Sequence, residues 1–257
     1  MVKRHGYPQV AADIVSTHPD VIFASGTPVA VQLKKITQSI PIVSVSADPI
    51  ALGLVSSLAR PGGNLTGASI DAGLELHGKR FQPLTEMIPS LSKIYYLASA
   101  GYWEREAGIA ARSAARRVGI PVIELPLGRT VSQRAYEEVL LSLQPGERSA
   151  LLVSDEGEHL PLRQSLVDLI AARHPPACYP FREFVEAGGL MSYSVDLADL
   201  FRLMAAQASD ILEGKKPSEI PVYQPTKFEL AINARAAKAL NLDLSPSFLA
   251  QADHVLE

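Results

Sequence analysis

Short runs of apolar residues alternate with longer segments of helical pattern along most of the chain. The strand-like runs are DVIFAS, IPIVSVS, KIYYLAS, IPVIELPL, SALLVSD and PACYPF. The segments between them, such as PVAVQLKKITQS and SQRAYEEVLLSLQPG, follow a helical pattern. Strands that are apolar on both faces and separated by helices are typical of parallel sheets covered by helices. The pattern therefore predicts an α/β fold with doubly wound parallel sheets.

This alternation is interrupted at two places. In residues 59–81, a Pro-Gly-Gly turn leads into a short strand and then a link punctuated by glycines. In residues 186–225, a strand and a long helix that ends at Gly214 are followed by a connection flanked by prolines. We interpret the first place as a passage from one lobe to another, and the second as the place where the chain crosses back.

The composition is that of an ordinary soluble protein. The chain has 257 residues, of which 47% are hydrophobic and 20% are charged, so disordered and fibrous classes are excluded. The formal net charge is -3 and basic residues cluster no further than pairs, so we expect no nucleic-acid partner. No apolar run approaches ~18 residues, so we expect no direct membrane insertion. The first 20 residues contain no apolar core of signal-peptide length, so we expect no export signal in the chain as written.

Metal and disulfide chemistry find little support in the sequence. Cys178 is the single cysteine, which rules out an internal disulfide and a cysteine-based metal cluster. The six histidines are scattered without the paired spacing of a metal site. We therefore expect no metal site and no cofactor.

Two successive predicted strands end where a helix is expected to begin. Thr27 precedes Pro28 after the first strand and Asp48 precedes Pro49 after the second, so each is predicted as an N-cap with proline at the first helical position. Helix starts at the carboxyl ends of parallel strands present N–H groups that suit a carboxylate. The alternative is that both are merely good caps. The candidate ligand-binding residues at these junctions are Ser25, Gly26, Thr27, Ser46, Ala47 and Asp48.

Acidic and aromatic residues follow other predicted strands. Ser154, Asp155 and Glu156 end the run SALLVSD, where the acidic side chains either receive an amine or cap the next helix. Arg182 either clamps a carboxylate or pairs with neighbouring glutamates. The aromatic candidates either stack on a planar ligand or pack in the core. They are Tyr102, Trp103, Phe181 and Tyr193.

The motifs of common enzyme classes are absent from the sequence. The chain has no G-x-G-x-x-G after a strand, no G-x-x-x-x-G-K-[ST] and no G-x-S-x-G. The carboxylates of Asp155, Glu156 and Glu158 lack a matched acid–base partner. We therefore assign no catalytic residue and predict binding without turnover.

Several long stretches resemble a known family. These are SADPIALGLVSSLARPGGNLTG, YPFREFVEAGGLMSYSVDLADLFR, ILEGKKPSEIPVYQPTKFELAIN and AKALNLDLSPSFLAQADHVLE. They resemble the ABC-transporter substrate-binding proteins that include tryptophan and tyrosine binders, and the likeness covers essentially the whole chain. It implies a type I periplasmic-binding-protein fold, with two α/β lobes joined by three crossing strands. On that pattern, residues 1–67 and 185–216 form the N-terminal lobe, and residues 68–184 and 217–257 form the C-terminal lobe.

The resemblance also implies a function and points to one difference from other family members. Family members normally begin with an export signal and a further strand, so we expect the N-terminal lobe to lack its first strand. The implied function is capture of a small carboxylated ligand, an aromatic amino acid or aromatic carboxylic acid, in the cleft between the lobes. The implied partners are a membrane ABC permease and a separate ATPase subunit, and the implied location is periplasmic or extracytoplasmic. The alternatives are a ligand-sensing regulatory module on the same fold, or a doubly wound enzyme.

Overall fold

The elements of the fold are defined over most of the chain. The computed structural model describes residues 6–70, 75–104, 106–128, 131–144, 146 and 148–257. The α-helices are α1 (Tyr7–Ser16), α2 (Thr27–Ile36), α3 (Glu75–Met87), α4 (Ala100–Trp103), α5 (Glu106–Val118), α6 (Gln133–Leu140), α7 (Arg163–Ala171), α8 (Arg182–Glu186), α9 (Leu197–Leu212), α10 (Ala234–Ala239) and α11 (Pro246–Leu249). The strands are β1 (Ile22–Ser25), β2 (Ile42–Ser46), β3 (Leu65–Ser69), β4 (Lys93–Ser99), β5 (Val122–Leu127), β6 (Ser149–Val153), β7 (Ala177–Tyr179), β8 (Met191–Ser194), β9 (Glu229–Asn233) and β10 (His254–Leu256).

The chain divides into two compact units. Unit 1 comprises Met1–Gly73 and Leu197–Thr226, and unit 2 comprises Leu74–Asp196 and Lys227–Glu257. Within the described ranges, none of the helices combines the length and apolar character that a membrane crossing requires.

Unit 1 is built on a parallel sheet whose described strands have the order β1-β2-β3. Helices α1 and α2 contact each other, and α9 contacts β2 and β3. All residues of β2 are buried, as predicted for a strand that helices cover, whereas in β1 Ile22 and Ala24 are buried and Phe23 is 48% exposed. Gly67 lies opposite Ser44 at φ 135°, where an added Cβ would come within 2.0 Å of the Ser44 carbonyl oxygen. Only glycine allows β2 and β3 to pair this closely.

Unit 2 is built on a longer sheet with the order β10-β9-β8-β7-β6-β4-β5. The strands from β8 through β7, β6 and β4 to β5 are parallel, whereas β8 and β9 are antiparallel. Consequently the start of β9 lies at the same edge of the sheet as the carboxyl ends of β4, β6, β7 and β8. The predicted α/β class with mainly parallel sheets is confirmed.

Helix α3 begins in residues 59–81, the segment that was interpreted from the sequence as a passage between lobes. Its buried positions include Leu76, Arg80, Leu84 and Met87, which are spaced as one face of a helix, and Phe81 and Pro83 are buried as well. Arg80 occupies the second of these positions, so a charge interrupts the apolar stripe and hides the helical period from the sequence.

The boundaries of the units differ from the predicted lobe boundaries because of the way the strands pair. Residues 185–196 belong to unit 2 because β8 pairs with β7 and β9 in its sheet. Residues 217–226 belong to unit 1 because Tyr223 bridges Ala68 beside β3. The chain therefore changes units after residues 196 and 226, not after the predicted residues 184 and 216.

Candidate functional site

The start of α2 lies at the carboxyl end of β1. Gly26 precedes the helix with φ 113°, and no side chain caps it. Thr27, predicted as the N-cap, is the first helical residue instead, with Pro28 after it. The prediction was wrong because the turn into the helix needs a positive φ, which glycine adopts without steric cost. The N–H groups of the first turn therefore receive no capping oxygen from a side chain.

Thr27 also connects the carboxyl ends of the two neighbouring strands. Its Oγ1 accepts a hydrogen bond of 2.8 Å from the main-chain N–H of Ala47, which follows β2. Because the hydroxyl accepts this bond, its own hydrogen remains available for donation. Ser25 is exposed and Ser46 is buried. Small polar groups and main-chain donors therefore form this end of unit 1.

The second predicted helix start is a turn. Asp48 Oδ1 accepts hydrogen bonds from the N–H groups of Ile50 at 2.9 Å and Ala51 at 3.1 Å, so its capping role is real. The chain nevertheless forms turns and bends, with no helix, over residues 49–60. Gly53 at φ 65° stops the first turn, because this left-handed conformation ends helical hydrogen bonding. The prediction of two adjacent helix N-termini was wrong, and the α2 start is the one that the structure contains.

In unit 2, Glu156 joins the carboxyl ends of β4 and β6. Its Oε2 accepts a hydrogen bond of 2.8 Å from Ser99 N, and its Oε1 accepts one from Ser99 Oγ. Ser154 Oγ donates to the same Oε2 at 2.8 Å. The carboxylate thus binds groups of its own chain, and Ser99 in turn caps α4 by accepting from Tyr102 N at 3.1 Å. Glu156 therefore stabilises the strand ends.

A buried histidine extends this network into the core. His159 Nε2 lies 2.9 Å from Ser154 Oγ, and its Nδ1 lies 2.7 Å from the hydroxyl of Tyr136. Burial lowers the pKa of His159 to about 4, so the ring is neutral at neutral pH. Burial also raises the pKa of Tyr136. The consistent assignment is that Tyr136 donates to Nδ1, Nε2–H donates to Ser154, and Ser154 donates to Glu156.

Arg80 is a buried cation at the same edge of the sheet. Its Nη1 lies 3.0 Å from Asp155 Oδ2, and the Arg80 and Asp155 side chains are 1% and 19% exposed. Its Nε donates to the carbonyl oxygen of Tyr193 at 3.2 Å. Burial on its own lowers the pKa of Arg80, but the Asp155 carboxylate, together with smaller contributions from Tyr96, Tyr102 and Cys178, outweighs this effect and the pKa is raised. The arginine therefore connects the ends of β6 and β8 as a charged residue.

The predicted aromatic residues fall into two groups. Tyr102 and Trp103 are buried in the core of unit 2, where both rings contact Tyr96 edge-to-face at 5.8 Å and 5.1 Å. Phe181 is also buried. Burial of these three rings agrees with the core-packing alternative, and a ligand contact from any of them stays a prediction. Tyr193 is half-buried and stacks on the ring of Phe228.

Arg182 lies among acidic side chains of unit 2. Its Nη1 is 3.2 Å from Glu229 Oε1, and its Nε is 3.3 Å from Glu186 Oε1. Nη1 also lies 3.1 Å from His254 Nε2. The pairing with Glu186 that the sequence analysis kept as an alternative is present, so the guanidinium has partners within its own unit.

The structure adds residues that the sequence analysis missed. Arg80 carried a signal, since a charge at a helical spacing from Leu76 and Leu84 is unusual on an apolar face. Three further residues gave no local signal, because the side chains that they contact are distant in the sequence. These residues are Tyr136, His159 and Phe228.

Sequence comparison places the chain among transport proteins. The family model described as "ABC transporter substrate binding protein" matches residues 5–256. A tyrosine-binding protein from Clostridioides difficile (strain R20291) is 26% identical over 238 residues, which is 91% of this chain and 66% of that protein. The chain thus spans slightly less than two thirds of this curated relative.

Solved structures share the fold. The ABC domain in complex with L-Trp from Streptococcus pneumonia matches with a TM-score of 0.83 at 22% identity, over 97% of this chain and 85% of that chain. A conserved domain protein from Vibrio cholerae O1 biovar El Tor gives a TM-score of 0.81 at 23% identity, over 97% and 82% of the two chains. A ligand-free, open substrate binding protein with adhesive properties from Clostridium difficile gives 0.63 at 23% identity, over 97% and 82%.

Proposed function

This chain belongs to the ABC transporter substrate-binding protein family, with the type I periplasmic-binding-protein fold, and we propose that it captures a small carboxylated ligand for an ABC importer. The proposed ligand is an aromatic amino acid or an aromatic carboxylic acid. A relative named as a tyrosine-binding protein and a structural neighbour solved with L-Trp support this choice. The chain binds its ligand without turnover.

The observation that carries the proposal is the uncapped start of α2. A helix N-terminus has unpaired N–H groups and a partial positive charge, both of which favour a carboxylate. Here the start has no side-chain cap, while Ser25, Gly26 and Thr27 surround it with small groups that permit close approach. The Thr27 hydroxyl already accepts from Ala47 N, so its hydrogen remains available for donation to an acceptor such as a carboxylate oxygen.

Asp155 is the group of unit 2 that we assign to a ligand amine. Its side chain keeps partial exposure, and Arg80 holds it in one orientation through a 3.0 Å ion pair. Glu156 was the alternative in the sequence analysis. Its two oxygens accept from Ser99 and Ser154, so we assign it the supporting role of holding the strand ends.

Membership of the family supports a proposal for the cellular location of the chain and for its protein partners. Substrate-binding proteins of ABC transporters are extracytoplasmic and deliver a small molecule to membrane transporter subunits. We propose that this chain delivers its ligand to a membrane permease that a separate ATPase subunit drives.

A thermal-shift panel followed by calorimetry tests the proposal. The panel contains aromatic amino acids, aromatic carboxylic acids, sugars and purines. A ligand that binds only the folded state stabilises it by about 2.7 kcal/mol at a concentration of 100 times its Kd. We expect aromatic carboxylated compounds to raise the melting temperature and to be recovered unchanged. Stabilisation by sugars only would overturn the ligand class, and chemical conversion of a bound compound would overturn binding without turnover.

A further inference from the structure

Tyr193 and Phe228 form a stacked aromatic pair in unit 2. Their ring centroids are 6.0 Å apart with an interplanar angle of 20°. Tyr193 lies opposite Leu230 in the antiparallel pair of β8 and β9. Phe228 precedes Leu230 by two residues, so its side chain lies on the same face of the ribbon as Tyr193. The pairing register thus places the two rings together.

This pair differs from the other ring contacts in the described part of unit 2. Tyr96, Tyr102 and Trp103 contact one another edge-to-face in the core, and all three are buried. Tyr179 and Phe184 stack at 5.5 Å, and both are buried as well. Tyr193 and Phe228 are both half-buried. Each residue therefore keeps a partly accessible surface, although Tyr193 also packs against the core of the unit.

Helix α3 supports the pair with two adjacent residues. The buried Arg80 donates through Nε to the carbonyl oxygen of Tyr193 at 3.2 Å, which fixes the main chain beneath the tyrosine ring. The exposed Lys79 places its Nζ 5.9 Å from the centroid of the Phe228 ring. The Arg80 guanidinium also forms an ion pair with Asp155. Arg80 therefore contacts both the main chain of Tyr193 and the carboxylate that we assign to a ligand amine.

From this geometry, we propose that Tyr193 and Phe228 form the surface on which the ring of the ligand stacks, and that they set a preference for planar aromatic rings. The inference rests on the proposed function, because it names the specificity-determining residues of the same site. It assigns ring recognition to a residue absent from the sequence-based candidates, Phe228. A stacked aromatic contact contributes roughly 0.5–1.5 kcal/mol beyond the area it buries, which corresponds to about two- to tenfold in affinity.

L-phenylalanine and L-cyclohexylalanine are the matched probes for this preference. They share the amino-acid group and a six-membered ring, but only phenylalanine has a planar π-system. We expect calorimetry on the unmodified protein to show about two- to tenfold tighter binding of L-phenylalanine. This measurement needs no variant, so it does not depend on the folding of any mutant.

The variants Phe228→Leu and Tyr193→Leu test whether these two rings cause the preference for L-phenylalanine. Each keeps apolar volume but removes one ring, so we expect the preference for L-phenylalanine to fall to less than about twofold, through loss of the stacking contribution. Phe228→Tyr retains a ring and is expected to keep the preference. Phe201→Leu is the matched control, because Phe201 forms a comparable pair with Phe23 in unit 1 at 6.1 Å. The melting temperature of each unliganded variant establishes that it is folded.

The outcomes separate the inference from the proposed function. If the unmodified protein binds no aromatic amino acid or aromatic carboxylic acid, the proposed function fails. If it binds them but does not distinguish the two probes, or if the folded leucine variants keep the full preference, the inference alone fails. A loss of affinity that is equal for both probes would indicate a packing role only and would also overturn the inference.

Discussion

The two units use different chemistry at the carboxyl ends of their strands. In unit 1 the groups are small and mainly main-chain, around the start of α2 at Gly26, and the side-chain links include those from Thr27 to Ala47 N and from Asp48 to the N–H groups of Ile50 and Ala51. In unit 2 the groups are ionised or buried polar side chains. Arg80 pairs with Asp155, and Glu156 accepts from neighbouring serines.

This difference predicts how binding and stability are connected in each unit. Burying a charged or polar group costs free energy unless the group forms a hydrogen bond or an ion pair. Each side chain of the unit 2 network therefore offsets the cost of burying its partner. The helix start in unit 1 costs less, because Gly26 and Thr27 are only half-buried and the N–H groups carry no full charge to desolvate. Substitutions at the strand ends of unit 2 should therefore reduce stability strongly, whereas those in unit 1 should act mainly on ligand affinity.

Replacement of Arg80 tests the strongest part of this comparison. We expect Arg80→Met to lower the free energy of unfolding by about 4 kcal/mol, because removal of one partner of a buried ion pair leaves the other without compensation. Urea denaturation measures the change. The matched control is Arg134→Met, in the exposed ion pair of Arg134 with Glu138, for which no measurable change is expected. Equal stabilities of the two variants would contradict a structural role for the buried pair.

The buried histidine of unit 2 predicts a pH dependence of stability. Burial lowers the pKa of His159 to about 4 from the ordinary value of 6.5, so the unfolded chain takes up a proton at a higher pH than the folded chain does. Above the unfolded value the group has no effect. As the pH falls from 6.5 to about 4, the free energy of unfolding decreases by about 3 kcal/mol in total, and the loss then levels off.

Urea denaturation across this pH range measures that loss. His159→Gln should reduce the pH dependence, because the titrating ring is removed. His174→Asn, at an exposed histidine with positive φ, should leave the dependence as it is in the unmodified protein. Parallel curves for the unmodified protein and the His159 variant would show that the buried ring does not titrate in this way.

The smallest expected effect belongs to unit 1. We expect Thr27→Ala to weaken ligand binding about fivefold, roughly 1 kcal/mol, because it removes a hydroxyl donor at the start of α2. The free energy of unfolding should fall by no more than about 1 kcal/mol, through loss of the bond from Ala47 N. Calorimetry and urea denaturation measure the two quantities, and Thr27→Ser should retain both. Unchanged ligand affinity in Thr27→Ala would show that Thr27 only links two strand ends and does not contact the ligand.

Residues with a repeating local pattern were predicted well. The runs DVIFAS, IPIVSVS, KIYYLAS and SALLVSD contain strands β1, β2, β4 and β6. The two notable errors have local causes as well. Residues 49–60 are apolar enough for a helix, but Gly53 in the left-handed region ends the first turn. Helix α3 was missed because Arg80 stands where an apolar residue was expected.

The sequence by itself determined the α/β class and the family, because apolar periodicity and long motif blocks are properties of neighbouring residues. It also identified Thr27, Asp155 and Tyr193 as residues at strand ends. Only the tertiary structure decided what each of them contacts. Arg80 lies 75 positions from Asp155, and Tyr136 lies 23 positions from His159, so these partners meet only when the sheet has formed. Pairing of distant residues depends on strand order and register, which local sequence does not encode.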